Sequence, residues 1–225
     1  MASRDPLALV VGAAGGAVSG WLVAYVGASS FVITLAMGTV FAGVEYQITD
    51  QQTIFENVAI GFQDLGQQEL FGLSLQIFVA LGTFVVAYLL LDQTESGRYM
   101  RAIGGNPEAA RLSGVKVAKL RMAGFMFCGV TAVLAGLLLT AQAGSASPNI
   151  GTGYLLPAFA AAFLGSAAFR VGEFNLVGTV LGVLFLGVIQ NGLTLMDAST
   201  AVINLVQGAI LVLAVTLPRL GERST

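Results

Sequence analysis

Long uncharged apolar runs, broken by short polar stretches, dominate this chain. A helix crossing a hydrocarbon core about 30 Å thick needs about 20 apolar residues. Six windows approach that length: residues 7–26, 31–44 with a polar extension to Thr49, 73–91, 122–143, 174–196 and 198–217. A seventh run, 154–169, is short, contains Pro157 and follows the turn-rich stretch 145–153. It predicts a short or re-entrant element, which lipid tolerates only where protein or a water-filled cavity covers the exposed backbone. The expected fold is all-α: a polytopic transmembrane helix bundle of about six full crossings and one short helix, forming a single transmembrane domain over residues 1–225.

The polar stretches orient the bundle. Of the 225 residues 56% are hydrophobic and only 10% charged, against about a quarter charged in a soluble domain, so lipid must serve as part of the solvent. Short cytoplasmic loops are enriched in Lys and Arg. The loop 92–121 carries Arg98, Arg101, Arg111, Lys116, Lys119 and Arg121, which places it in the cytoplasm. The loop 45–72 carries Glu45, Asp50, Glu56, Asp64 and Glu69 with no basic residue, which suits the outside. Alternation from these anchors puts Arg170 inside if 154–169 crosses, Asp197 outside, and the C-terminus with Arg219 and Arg223 inside. It also puts Arg4 and the N-terminus outside without a cleavable signal. The expectation is that further helices precede this chain, and that the chain by itself inserts but does not transport. Gly12, Gly16 and Gly20 lie four apart on one face, and Gly178 with Gly182 repeats the spacing. Such faces allow close helix approach within a bundle or a dimer, and preceding helices are expected to cover the first of them.

Candidate chemistry is narrow. The chain has no histidine and one cysteine, Cys128, inside an apolar run, where its plain reading is a small buried hydrophobe. A Cys/His metal cluster and a Ser-His dyad are therefore excluded, and no aspartate in a helix interior offers a carboxylate dyad. No catalytic residue or metal ligand is assigned. The net charge of −2 leaves no electrostatic footprint for nucleic acid. No GxxxxGK[ST] loop is present, so any ATP must be bound by a partner. A secondary transporter commonly places ionisable groups at mid-membrane, and the apolar windows here hold none; Glu45 sits only near an outer end.

Within the basic loop, residues 104–115 have local order. Asn106 is a strong N-cap, Pro107 suits the first helical position, Glu108 complements the positive helix end, and Gly114 provides a stop. About two helical turns over 107–113 are predicted, too short to stand alone in water. Ala109, Ala110 and Leu112 offer small apolar contacts and Arg111 a charged one. A docking helix and a capped connector both fit these features. Gln190 and Asn191 in one window, and Asn204 and Gln207 one turn apart in the next, are candidates to line a hydrated pathway or to hydrogen-bond between helices.

The run Gly97-Arg98-Tyr99-Met100-Arg101-Ala102-Ile103-Gly104-Gly105-Asn106-Pro107-Glu108-Ala109-Ala110-Arg111-Leu112-Ser113-Gly114-Val115 closely resembles the cytoplasmic loop of the ribose/xylose-type ABC permeases. The likeness continues through Ser30-Phe31-Val32-Ile33-Thr34-Leu35-Ala36-Met37-Gly38, through Ser147-Pro148-Asn149-Ile150-Gly151-Thr152-Gly153-Tyr154, and from Gly172 to Asn191-Gly192-Leu193. The resemblance implies that Asn106 to Gly114 form a coupling helix docking into a groove on a cytoplasmic ABC ATPase. It further implies a second permease subunit in a homodimer, an extracytoplasmic solute-binding protein, and ATP and Mg bound by the ATPase, with no cofactor in this chain. The expected location is the bacterial plasma membrane, and the expected cargo a monosaccharide such as ribose or xylose. The alternatives are a secondary transporter or an ABC permease for a different small polar solute. Family members carry additional helices before the position matching Leu7.

Overall fold

The computed structural model describes residues 5–54, 68–70, 72–168 and 174–222. Arg4, Glu56, Asp64, Arg170 and Arg223, used above for orientation, lie outside the described residues. The helices are α1 Asp5–Ala24, α2 Ser30–Thr49, α3 Leu75–Tyr88, α4 Glu95–Gly105, α5 Pro107–Leu112, α6 Val117–Ala143, α7 Thr152–Ala168, α8 Leu176–Leu195 and α9 Thr200–Glu222. A π-helical turn, Leu89–Gln93, prolongs α3. Ahead of α3, the two-residue strands β1 Glu69–Leu70 and β2 Leu73–Ser74 pair antiparallel.

Among the described residues, five helical stretches are long and apolar enough to span a membrane: Leu7–Ala24, Ser30–Thr49, Leu75–Gln93, Val117–Ala143 and Leu176–Leu195. The 27 residues of α6 reach about 40 Å at 1.5 Å per residue. The sixth window, 198–217, falls on α9, which starts where the Ser199 carbonyl accepts from Val202 and Ile203 and runs 23 residues to Glu222. Residues 154–168 of the seventh run lie in α7, a continuous 17-residue helix, which is the short element rather than the re-entrant one. Pro157 falls in its second turn, where the missing N–H removes one bond.

The chain divides into two compact units, residues 1–148 and 149–225. In the first, α1 runs antiparallel along α6. A Cβ at Gly12 would lie 2.7 Å from the Gly129 carbonyl oxygen, and one at Gly20 would lie 2.9 Å from Met122 Cα. The glycine face is thus already covered, by α6. This corrects the expectation that preceding helices must cover it; Gly129 supplies the matching hollow. Antiparallel pairing puts the turn after α1 at the same end as the start of α6. At the other end of α6, Ile54 and Ala146 exchange backbone hydrogen bonds of 2.9 and 3.0 Å, and Thr53 and Ser147 share a side-chain bond of 3.3 Å.

In the second unit, α7 and α8 also run antiparallel, with Gly165 on Gly178 and Ala161 on Gly182. Ala160, Ala161 and Leu186 form the buried cluster, joined by Ile210 and Leu211 of α9. The spacing of Gly178 and Gly182 therefore serves packing inside one bundle.

Elsewhere large apolar side chains face outward along the spans, among them Phe31, Val32, Leu81, Leu184 and Val188, as helices bathed in lipid require. Their hydroxyls are satisfied internally: Thr39, Thr83, Thr140 and Thr216 each donate to the carbonyl four residues back, which removes an unpaired donor from the hydrocarbon. Cys128 is exposed rather than buried, because α6 turns Met122, Phe125, Met126 and Gly129 toward α1 and Cys128 lies off that face.

Candidate functional site

The basic loop is a folded module made of the π-turn, α4, α5 and the first turns of α6. Thr94 breaks the helical path with an extended backbone (φ −96°, ψ 159°), and its hydroxyl oxygen accepts from Gly97 N at 3.2 Å, starting α4. Gly97 is buried against the preceding turn; a Cβ there would sit 2.6 Å from the Leu90 carbonyl oxygen and closer still to that of Leu91. Ile103, farther along α4, is buried as well. Arg101 Nη2 donates to the Leu91 carbonyl at 3.2 Å and pairs with the Asp92 carboxylate.

Asn106 serves two helices. Its N–H donates to Ala102 O at 3.1 Å, closing α4, while its Oδ1 accepts from Glu108 N and Ala109 N, each at 3.1 Å, opening α5. Pro107 takes the first position, where a missing N–H costs nothing. The exit is a Schellman motif: Val115 N donates to Ala110 O at 3.1 Å, Gly114 N donates to Arg111 O at 3.0 Å, and Gly114 has φ +84°. Ser113, expected as the last helical residue, is the C-cap instead.

With both ends pinned, α5 has fixed faces. Ala110 is buried inside the module, whereas Leu112 is 82% exposed, and Ala109 and Arg111 are exposed beside it. Ala110 was expected to share the outward apolar surface; burial leaves that surface to Ala109 and Leu112, with Arg111 as its charge. Asn106→Ala should remove about 1 kcal/mol of capping, so amide exchange at Glu108 and Ala109 is expected to accelerate about fivefold while α6 is unaffected.

Sequence reasoning missed α4 altogether, along with Thr94, Gly97 and the Asp92–Arg101 pair. The usable signals were a Thr cap followed by Glu95 in the first turn and the spacing of Gly97, Met100 and Ile103 on one face.

The polar candidates of the second unit divide. Gln207 is buried, and its Nε2 donates to Gln190 Oε1 at 3.2 Å, tying α9 to α8. Asn191 and Asn204 are exposed and take no part in that bond. The amide pair thus has the geometry of an interhelical contact.

The family model described as "Branched-chain amino acid transport system / permease component" matches residues 5–215. Over 211 residues the chain is 37% identical to the ribose import permease protein RbsC of Escherichia coli (strain K12), covering 92% of this chain and 66% of that protein. It is 32% identical over 212 residues to the D-allose transport system permease protein AlsC of the same strain, covering 94% of this chain and 65% of the relative. It is 31% identical over 220 residues to the autoinducer 2 import system permease protein LsrD of Yersinia pseudotuberculosis serotype O:3 (strain YPIII), covering 96% and 66%. The chain thus spans about two thirds of the length of these curated relatives. No solved structure matches it.

Proposed function

Because this chain belongs to the branched-chain amino acid transport system / permease component family, we propose that it forms most of the membrane-spanning subunit of a bacterial ATP-driven importer. The observation that carries the reading is α5, a helix pinned at both ends that holds Leu112 almost fully outward. An isolated apolar side chain on a rigid, basic platform suits insertion into a groove of a partner. That partner is a cytoplasmic ABC ATPase, which holds ATP and Mg; this chain itself is not an enzyme and carries no cofactor. Closure of the ATPase would press Asn106 to Gly114 and shift the bundle between inward and outward access. Such coupling needs contacts that differ between the two states.

A second permease subunit, as a homodimer, completes the pathway, and an extracytoplasmic solute-binding protein delivers the cargo. The cargo is a monosaccharide such as ribose or xylose, supported by relatives that carry ribose and D-allose in their names. The protein lies in the plasma membrane with loop 92–121 and the C-terminus in the cytoplasm. Gln190 and Gln207 brace the helices, and Asn191 and Asn204 remain the residues open to a hydrated path.

Reconstitution tests the reading. Proteoliposomes holding the permease that contains this chain, with its ATPase and binding protein, should accumulate labelled pentose only with ATP. In the same membranes Ser113→Cys should react with impermeant thiol reagents from the cytoplasmic side alone, and Thr53→Cys from the outside alone. Uptake driven by an ion gradient without ATP, or reversed labelling, would sink it.

A further inference from the structure

A docking helix is useful only if its movement reaches the membrane, and the joint between α4 and α3 decides whether it does. Two weak points occur there in succession. The π-turn Leu89–Gln93 replaces the regular ladder with wider bonds, and Thr94 is a single extended residue between helices. Left alone, this joint would act as a hinge and absorb a push on α5.

Three contacts span it. The Thr94 hydroxyl accepts from Gly97 N and donates to Leu90 O at 2.5 Å, and the Gly97 backbone rests on the Leu90 and Leu91 carbonyls. These lie at the cap and in the first turn of α4 and resist sliding better than bending. Arg101 reaches back from the second turn, grasping the Leu91 carbonyl and the Asp92 carboxylate with one nitrogen. A contact farther from the pivot opposes bending with a longer lever arm. A guanidinium also suits the task, because its planar donors are preorganised.

We propose that Asp92 and Arg101 form a clasp that makes α4 move as one body with the end of α3, so that displacement of α5 is delivered to a membrane-spanning helix. Both are positioning residues, outside the docking surface and outside the pathway. The transport role rests on α5 being the docking helix; the mechanical role does not. With side chains 49% and 29% exposed, the pair shifts an equilibrium and does not hold the fold: a surface ion pair changes populations by roughly fivefold at most.

The test separates the two roles. Spin labels at Leu81→Cys and Gly105→Cys, in a Cys128→Ser background of the full chain, report the α3–α4 distance in lipid nanodiscs. One narrow distribution is expected for the parent. Arg101→Ala should enrich a second, bent population about three- to fivefold, and the swap Asp92→Arg/Arg101→Asp should narrow the distribution again. In the assembled transporter, Arg101→Ala should retain ATPase association and ATP hydrolysis while solute moved per ATP falls by a similar factor. An unchanged distribution in Arg101→Ala overturns the clasp. So does loss of ATPase association with the distribution still narrow, which would place Arg101 in the docking surface. If instead Leu112→Asp binds the ATPase normally, the docking reading fails while the distance measurement still judges the clasp.

Discussion

Leu112→Asp is expected to weaken association with the ATPase subunit about a hundredfold and to abolish uptake, while membrane insertion stays normal. Burying a leucine side chain contributes about 1.5–3 kcal/mol, and each 1.36 kcal/mol is tenfold in an equilibrium. A carboxylate forced into the same groove adds a desolvation cost. The substitution does not disturb the module itself, because Leu112 is 82% exposed. The caps of α5 use Asn106, Gly114 and backbone groups, none of which change. Co-purification of the ATPase with tagged permease measures the effect, and Arg98→Ala, at an exposed position on α4, serves as the comparison. Parental recovery of the ATPase with Leu112→Asp would remove α5 from the docking role.

Gly16→Val is expected to have the largest effect on the bundle. A Cβ at Gly16 would lie 2.8 Å from Met126 Cα and 2.9 Å from the carbonyl carbon of Phe125. Both are backbone atoms of α6 and cannot rotate away, so the two helices must part. Overpacking of this kind costs about 1–3 kcal/mol, and here it also opens the contact around Gly12, Gly20 and Gly129. A fall of several degrees in the detergent-solubilised melting temperature should follow, with protease cleavage appearing in the turn after α1. Gly124→Ala is the control on α6, since a Cβ there meets nothing within 4 Å. Equal melting of Gly16→Val and Gly124→Ala would show that α1 and α6 do not pack through this face.

The helical spans were legible because lipid leaves the backbone no partner but itself, so an uncharged run of sufficient length becomes a helix whatever surrounds it. Most of α5 was legible for a related reason: its entry cap is an Asn106 side chain reaching only two and three residues ahead, and its exit is a glycine in a left-handed conformation. Both are settled within ten residues of chain. Only the edges of the windows were left open: the Ser199 carbonyl sets the start of α9, and α7 runs through Pro157 as one short helix.

What only the tertiary structure decided is which surfaces meet. The glycine spacing of α1 announced a close-packing face, but that α6 would occupy it depended on Gly129, more than a hundred residues away. That choice in turn left Cys128 exposed. Ala110 and Leu112 are both apolar residues of one short helix, and nothing local distinguishes them; the packing of α5 in its module buries the first and presents the second. Gln190 finds Gln207, and not Asn204, through the rotation of α9 about its axis. Arg101, counted among the charges that orient the loop, meets Asp92 only once α4 is in place. Residue chemistry acts over a few positions along the chain, whereas the partner of a helix face is selected by all the surfaces that compete for it.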